Sequence, residues 1–245
     1  NLDAVKMLVE ANKGQVAAII LEPVAGNMGL VTPAEGFLQG LRTLCDQEGI
    51  VLIFDEVMTG FRLAPGGAQE LYGVTPDMST LGKIIGGGMP VGAYGGKKEI
   101  MDYVAPAGPV YQAGTLSGNP IAMAAGMAML TYLKEHPEVY TQLNSITDKL
   151  VNGMHQNMQE LGVNFTLNRV GSMFSVFFTN QPVTDFDSAK TSDTAMFGRY
   201  FNAMLQKGIY LAPSQYEALF VSTAITESIA DEYIKANLEA LKEAL

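Results

Sequence analysis

The sequence contains no tryptophan, one cysteine, two histidines and few basic residues. Lys and Arg total 15 against 25 for Asp and Glu, and the formal net charge at pH 7 is -10. An excess of negative charge opposes attraction to nucleic acid or to an anionic membrane surface. We therefore expect the partners to be small molecules or proteins, with no nucleic acid and no membrane among them.

The scarcity of cysteine and histidine argues against disulfide and metal chemistry. Cys45 stands alone and cannot form an internal disulfide. No apolar run reaches the length of about 18 residues that a membrane span needs. Because there is a single cysteine and no such run, we expect a reducing compartment. We expect that compartment to be the cytoplasm, or the plastid stroma if the source is a plant or alga. His136 and His155 lack metal-ligand spacing, and we interpret both as surface or packing residues, with no metal site.

The length and apolar content are sufficient for a full core. The chain has 245 residues, of which 48% are hydrophobic, which suits one large domain or up to two ordinary ones. It begins at Asn1 in a helical pattern, with no signal or transit peptide visible. We therefore expect it to be part of a longer chain.

Two continuous apolar runs, Val16–Val24 and Gly49–Val57, are typical of strands buried on both faces of a parallel sheet. Between them Thr32, Pro33 and Glu35 fit a capping box that begins a helix, and Gly49 ends that helix. The right-handed crossover rule makes the two strands parallel. Ligands of open parallel sheets bind beyond the carboxyl ends of the strands, so residues that follow these runs are site candidates.

The second half of the chain predicts a smaller α+β domain. Asn119 and Pro120 can cap and begin a helix of small residues. The later predicted elements are a long helix over 137–161, strands in "MFSVFF" and "ALFVSTAI", a helix over 192–206 and a closing helix from 227. We place residues 1–135 in a first domain and residues 136–245 in the second.

Asp55 and Lys83 are charged residues in largely apolar stretches, and their positions require an explanation. Asp55 ends the run in "LIFDEVMTGFR", and Lys83 stands among glycines and apolar residues in "STLGKIIGGGMPVGAYGG", after a further predicted strand in "TPDMSTLGK". A strand-end carboxylate and such a lysine suit pyridoxal 5'-phosphate, because the lysine amine can form a Schiff base with the aldehyde and the acid can pair with the pyridinium nitrogen. Taken singly, Asp55 is more often a turn cap and Lys83 a surface residue.

Together with their flanks, these residues resemble the class III pyridoxal-phosphate aminotransferase family, and within it the aminomutase subfamily. The matching strings are "EPVAGNMG", "FDEVMTGFR", "GGAQELYGVTPDMSTLGKIIGGGMPVGAYGG", "VAPAGPVYQAGTLSGNP" and "SQYEALFVS". The general family usually has an aromatic, glycine and arginine run followed by Thr-Gly after its DEV motif, whereas this sequence continues as the subfamily does. The resemblance implies a fold-type-I α/β transferase, with a mainly parallel sheet and flanking helices, and a smaller C-terminal α+β domain. Residues 1–135 would be the C-terminal part of its large cofactor-binding domain.

The resemblance also implies roles for residues of the cofactor site. Lys83 would be the Schiff-base lysine and proton shuttle, and Asp55 would pair with the pyridine nitrogen. Val57 would pack against the ring. Asn27 would lie near the phenolic oxygen of the cofactor, although such Asn-Gly neighbourhoods are more often plain turns.

The resemblance also implies roles for Thr115 and Glu217, but none for Glu56. Thr115 would reach across a dimer interface to the phosphate of the neighbouring subunit, although a hydroxyl before a helix is usually a cap. Glu217 would face the cofactor and tune which substrates are held, although most glutamates are simply solvated. Glu56 is assigned no catalytic role, since it can hydrogen-bond neighbouring backbone.

The activity implied is isomerisation of (S)-4-amino-5-oxopentanoate to 5-aminolevulinate for tetrapyrrole synthesis, by a homodimer. It would use the pyridoxamine and pyridoxal forms of the cofactor and a diaminovalerate intermediate. Glutamyl-tRNA reductase is a partner expectation at family level. Family proteins are longer on the N-terminal side, and that part carries the main phosphate loop, the ring-stacking aromatic and the substrate-carboxylate residues. An ω-aminotransferase and an inactive fragment or binding module remain the alternatives.

Overall fold

The computed structural model describes all 245 residues. The helices are α1 (Leu2–Ala11), α2 (Phe37–Glu48), α3 (Gly67–Tyr72), α4 (Lys98–Met101), α5 (Pro120–Glu135), α6 (Glu138–Glu160), α7 (Phe186–Ala189), α8 (Thr194–Gln206) and α9 (Glu227–Ala244). The strands are β1 (Ala18–Leu21), β2 (Val51–Asp55), β3 (Met78–Leu81), β4 (Ala93–Gly96), β5 (Thr166–Val170), β6 (Met173–Phe177) and β7 (Leu219–Phe220).

The chain divides into two compact units. Unit 1 comprises Asn1–Pro23 and Pro33–His136, and unit 2 comprises Val24–Thr32 and Pro137–Leu245. A short segment after β1 therefore belongs to the second unit, although the chain returns to the first unit immediately afterwards.

Unit 1 is built on a four-stranded sheet in the order β1-β2-β3-β4. The pairs β1–β2 and β2–β3 are parallel, and β4 is antiparallel to β3. This arrangement confirms the predicted α/β class and the predicted parallel pair. The strand in "TPDMSTLGK" is also confirmed, as β3.

The start of α2 differs from the prediction. The helix begins at Phe37 with Gly36 as its N-cap, and no side chain caps it, so the capping box at Thr32 is wrong. Residues just before Thr32 are held elsewhere: Val31 pairs with Ala25, and other residues of this segment bond within unit 2. The predicted end is confirmed, because Gly49 adopts the left-handed conformation with φ 68, which glycine takes without strain.

The core of unit 1 covers only one face of β1. Ile19 and Leu21 pack against it, whereas Ile20 is 62% exposed. The expectation that this strand is buried on both faces is therefore wrong: alternate side chains of a strand point to opposite faces, and the core covers only the face of Ile19 and Leu21. The buried members of this core are Val9, Leu38, Leu41, Cys45, Ile50, Leu52, Phe54 and Val74.

A buried carboxylate joins the starts of β2 and β3. Asp77 accepts hydrogen bonds from Lys97 at 2.6 Å, from the backbone N–H of Leu52 at 2.7 Å and from Arg42 at 2.9 Å. Burial alone raises the pKa of Asp77, but these donors together bring that pKa below its usual value. The ionised acid thus stabilises the sheet.

Unit 2 has a three-stranded antiparallel sheet in the order β5-β6-β7, with α6, α8 and α9 packed together. Every residue of β6 is buried. The three long helices and the strand in "MFSVFF" are confirmed. The strand in "ALFVSTAI" was predicted too long, since β7 covers two residues and Ile225 then closes a turn onto Ser222.

The interior of unit 2 contains a neutral polar network. Asn157 donates to the side chain of Asn237 at 2.9 Å, and Asn237 donates to the hydroxyl of Tyr200 at 2.8 Å. Burial raises the pKa of Tyr200 to about 12. These groups satisfy one another without any formal charge.

The two histidines make aromatic contacts, as the packing interpretation requires. His136 lies 4.3 Å from the ring of Tyr132, and His155 meets the edge of Phe165 at 5.0 Å. None of the helices combines the length and the apolar character that crossing a bilayer would demand.

Candidate active site

Asp55 closes β2 at the carboxyl edge of the sheet, beside Thr80 of β3, with which it is in register. Its Oδ1 accepts one hydrogen bond from the backbone N–H of Val57 and one from the hydroxyl of Thr80, each at 3.1 Å. Its Oδ2 has no hydrogen-bond partner, and the side chain is half-buried. One oxygen therefore fixes the carboxylate, and the other is available to a ligand.

Lys83 follows β3 after one intervening residue, Gly82, and opens a single 3-10 turn, Lys83–Gly86. Its φ of 48 makes it one of two non-glycine residues in the left-handed region; the other is Phe61, with φ 57. The Lys83 side chain is exposed, and its amine makes no hydrogen bond or ion pair. Strained backbone of this kind concentrates at functional sites, and the functional role of Lys83 stays a prediction.

Glycines let the lysine turn approach its surroundings at backbone distance. A Cβ added at Gly82 would lie 3.1 Å from Cγ1 of Val57, and one added at Gly126 of α5 would overlap the carbonyl oxygen of Ile85. An added Cβ at Gly87 would likewise overlap the carbonyl oxygen of Ala125. The turn is therefore fixed against the Asp55 segment on one side and against α5 on the other.

Glu56 performs a different task from its neighbour Asp55. Its side chain is 1% exposed and accepts from the hydroxyl of Thr59 at 2.9 Å and from the backbone N–H groups of Ala68 at 2.7 Å and Gln69 at 3.1 Å. These bonds hold the loop between β2 and α3. The expectation that Glu56 bonds neighbouring backbone is confirmed.

A cavity of about 630 Å³ adjoins the lysine turn within unit 1. Phe61, Ile85 and Gly126 contribute to its wall, together with Gly114 and residues 116–118. The strained backbone of Phe61 therefore places an aromatic residue on this wall. Sequence inspection did not single out Phe61.

Thr115 lies in the turn over 115–118, is exposed and has no side-chain partner. It does not cap α5. Asn119 is the cap, and its side chain accepts from the N–H groups of Ile121 and Ala122 at 3.1 Å. The capping explanation for Thr115 is thus wrong, whereas the predicted cap at Asn119 is confirmed.

The other two assigned residues, Asn27 and Glu217, belong to unit 2. Asn27 is exposed, in a tight turn closed by pairing of Ala25 with Val31. The side chain of Glu217 is exposed, while its carbonyl accepts from the hydroxyl of Ser175 at 3.3 Å. The structure therefore links Asp55, Val57 and the lysine turn within one unit, and the roles of Asn27 and Glu217 stay predictions.

Thr80 was not identified from the sequence. The run "MST" offers two hydroxyls, Ser79 and Thr80, and alternate residues of a strand point to opposite faces. Only the register between β2 and β3 shows that Thr80 reaches Asp55, while Ser79 accepts from Gln69 at 2.9 Å. The sequence feature that could have indicated Thr80 was its position three residues before Lys83, on the same predicted strand.

Comparison with known proteins gives a consistent family. The family model described as "Aminotransferase class-III" matches residues 1–245. A glutamate-1-semialdehyde 2,1-aminomutase of Cytophaga hutchinsonii is 64% identical over 243 residues, which are 99% of this chain and 56% of that protein. The chain therefore spans about half the length of the curated relatives it matches.

Solved structures agree with this result. An omega-transaminase from Sphaerobacter thermophilus has a TM-score of 0.93 at 33% identity, over 100% of this chain and 56% of its own. A glutamate-1-semialdehyde-aminomutase from Pseudomonas aeruginosa PAO1, solved in complex with PMP, has a TM-score of 0.88 at 27% identity, over 100% of this chain and 55% of its own. The chain belongs to the class-III aminotransferase family.

Proposed function

We propose that this protein isomerises glutamate 1-semialdehyde, (S)-4-amino-5-oxopentanoate, to 5-aminolevulinate in tetrapyrrole synthesis, with pyridoxal 5'-phosphate and pyridoxamine 5'-phosphate as cofactor forms. The observation that carries the proposal is the 64% identity with the aminomutase of Cytophaga hutchinsonii. The Pseudomonas aeruginosa aminomutase in complex with PMP supports the choice of cofactor.

The residues present fit such a cofactor. The free Oδ2 of Asp55 is suited to a protonated ring nitrogen, and the unpaired amine of Lys83 is suited to an aldehyde. Gly82 keeps the backbone before Lys83 close to Val57, since a Cβ there would crowd that side chain. An acid, an amine and an apolar surface are thereby held on adjoining segments.

Pyridoxal 5'-phosphate, when bound, supplies a carbonyl that exchanges amino groups and a ring that accepts electrons from the substrate carbon. Asp55 would hold a proton at the ring nitrogen through Oδ2, because an adjacent anion favours the protonated form of that nitrogen. The Lys83 amine would take a proton from one substrate carbon and deliver one to its neighbour. Val57 would pack against the ring and exclude water from that side. No external amino donor is consumed in this isomerisation.

The remaining assignments belong to the same proposal. Asn27 would contact the phenolic oxygen, and Glu217 would select among substrates. Thr115 would serve the phosphate of a second subunit in a homodimer, and its exposed hydroxyl without a side-chain partner is compatible with that use. Residues 1–135 and 136–245 would be parts of a large and a small domain, and glutamyl-tRNA reductase would be a protein partner.

An ω-aminotransferase is the second candidate function, since the transaminase from Sphaerobacter thermophilus gives a TM-score of 0.93. Shared fold does not determine the substrate. The identity of 33% to that enzyme is far below the 64% to the aminomutase from Cytophaga hutchinsonii, and this difference favours the isomerase.

The deciding experiment incubates purified protein, loaded with pyridoxamine 5'-phosphate, with the semialdehyde and no amino donor. We expect many turnovers of 5-aminolevulinate for each protein molecule. If the enzyme instead consumes one equivalent of the semialdehyde, releases 4,5-diaminovalerate in place of 5-aminolevulinate and resumes only on addition of an amine donor, the result would support the aminotransferase. Borohydride reduction of the pyridoxal form, followed by peptide mass spectrometry, should place the cofactor mass on Lys83.

A further inference from the structure

We infer that Thr80 is a positioning residue that orients Asp55 for the proposed reaction, so that one carboxylate oxygen is fixed and the other faces the ring nitrogen. The inference rests on the proposed function and adds to it a residue that neither the family resemblance nor the comparisons assign. Its basis is the hydrogen bond of 3.1 Å from the Thr80 hydroxyl to Oδ1 of Asp55.

The geometry gives the two oxygens of Asp55 different surroundings. Oδ1 receives both the Thr80 hydroxyl and the N–H of Val57, whereas Oδ2 receives neither. Rotation of the carboxylate about its Cβ–Cγ bond, away from the observed orientation, would break both bonds. The carbonyl of Thr80 accepts a hydrogen bond from the backbone N–H of Glu56 at 2.9 Å. This bond fixes the backbone of Thr80, while its hydroxyl donates to Asp55.

The same strand links the acid to the lysine. Thr80 lies three residues before Lys83, and Gly82 between them lies against Val57. A shift of β3 relative to β2 would therefore move Lys83 and release Asp55 together. The Thr80 hydroxyl fixes the relative position of the two chemically active segments at the point where the strands end.

The test compares Thr80→Val, which keeps the shape and removes the donor, with Thr80→Ser, which restores a hydroxyl. Ser79→Ala is the matched control, because it removes a hydroxyl from the adjacent residue of the same strand, one that bonds Gln69 and not Asp55. Circular dichroism and thermal melts check the fold, and Thr80→Ala gives a second reading if the valine variant packs poorly.

The main readout is the ring nitrogen of 15N-labelled pyridoxal 5'-phosphate in the holoprotein, followed by NMR as the pH is raised. Without the Thr80 donor the carboxylate can rotate, so Oδ2 no longer stays against the protonated ring nitrogen. We therefore expect Thr80→Val to lower the midpoint of ring deprotonation by about one pH unit. We expect kcat to fall about tenfold, with little change in the KM for the semialdehyde, because the lost interaction acts on the reacting ring.

Thr80→Ser should recover most of both values, and Ser79→Ala should match the parent. A parent-like midpoint and kcat in Thr80→Val would overturn the role of Thr80 and leave the proposed function intact. Equal losses in Thr80→Val and Ser79→Ala would also overturn it, since they would show a general effect of the strand. A parent protein that binds no pyridoxal 5'-phosphate would overturn the proposed function and this inference together.

Discussion

The buried polar interior of unit 1 includes acidic side chains, whereas that of unit 2 contains only uncharged residue types. Asp77 is surrounded by two cations and a backbone N–H, and Glu56 by backbone and a hydroxyl. In unit 2, Asn237 and Tyr200 bond each other. Only unit 1 combines such buried charge with an acid and an amine, Asp55 and Lys83, that keep atoms free for a ligand.

The comparison distinguishes buried polar residues that stabilise the fold from partly open residues that are proposed to react. A buried carboxylate is costly unless donors surround it, and the donors of Asp77 and Glu56 are all used in holding strands and loops. Asp55 is the last residue of β2 and Lys83 lies two residues after the end of β3, and part of each group stays open. We expect substitutions at the satisfied groups to alter unfolding, and those at the open groups to alter reaction.

The largest expected effect comes from Lys83→Ala. Loss of both the nucleophile and the proton carrier should reduce turnover by about a thousandfold or more. The melting temperature should stay close to that of the parent, because the side chain is exposed and unpaired. Lys98→Ala, at another exposed lysine, is the control and should retain full turnover; a Lys83→Ala protein of near-normal activity would contradict the assignment.

Asp55→Asn should have the next largest effect. The amide keeps the size of the carboxylate but carries no charge to retain the proton on the ring nitrogen, so kcat should fall about a hundredfold and the cofactor should bind less tightly. Steady-state kinetics and equilibrium dialysis of pyridoxal 5'-phosphate measure the two quantities. Asp102→Asn, at an exposed acid, is the control, and an unchanged kcat at Asp55→Asn would remove this residue from the mechanism.

Asp77→Asn tests the ionised interior of unit 1. The variant leaves Arg42, which is largely buried, with only its exposed partner Asp46, so we expect the free energy of unfolding at pH 7 to fall by about 2–3 kcal/mol. Asp46→Asn, which breaks the exposed pair with the same arginine, should cost about 0.5 kcal/mol or less. Urea unfolding gives both values, and equal losses would mean that burial of the pair is unimportant.

The pH dependence sharpens the same test. The folded-state pKa of Asp77 lies below its ordinary value, despite the opposing effect of burial, because Lys97, Leu52 and Arg42 donate to the ionised form. Its stabilisation is therefore present above the unfolded-state pKa of about 4 and is lost as the pH falls through the lower folded-state pKa. Asp77→Asn should therefore reduce the loss of stability at acid pH, the acid limb of the stability curve. If the acid limb is unchanged in this variant, other carboxylates must cause the loss.

Tyr200→Phe tests the neutral interior of unit 2 and should have the smallest effect. Loss of the hydroxyl leaves the buried amide of Asn237 without its acceptor, at a cost of about 1–2 kcal/mol. The exposed Tyr210 provides the control substitution Tyr210→Phe, which should stay within about 0.5 kcal/mol of the parent. A Tyr200→Phe variant as stable as its control would show that this bond contributes little.

The alkaline limb of the stability curve tests the neutral interior of unit 2, as the acid limb tests Asp77 in unit 1. Burial raises the pKa of Tyr200 to about 12, so its contribution is complete below the unfolded-state pKa of about 10 and is lost as the pH rises through about 12. Tyr200→Phe should reduce this loss without removing it, because burial also raises the pKa of Tyr233. Chemical unfolding between pH 9 and 12 measures the difference.

The sequence predicted elements that carry strong local signals. The apolar run before Asp55 indicates a strand, and the long amphipathic pattern of α6 indicates a helix. Local signals failed where distant packing decides: the segment before Pro33 bonds within unit 2, and this contact overrides the cap at Thr32. β4 and β5 were missed because "AYGG" resembles a turn and "TLNRV" has little apolar character, and only their pairing partners make them strands.

The residues of the candidate site stay predictions, and the sequence offered the chemically distinctive ones. A carboxylate at a strand end and a lysine among glycines are unusual in sequence, so Asp55 and Lys83 could be proposed as a pair. Thr80 could not, because its role depends on strand register. Phe61 could not either, because a positive φ at an aromatic residue leaves no mark in composition or periodicity.

The glycine contacts of the lysine turn have a consequence for protein engineering. Because Gly126 and Gly87 bring α5 and the turn together at backbone distance, no side chain at either position can be accommodated without moving one of the two backbones. A directed-evolution library that randomises α5 to change its surface would therefore also change the lysine turn. Holding Gly87 and Gly126 constant would let the rest of α5 be redesigned independently of the reaction.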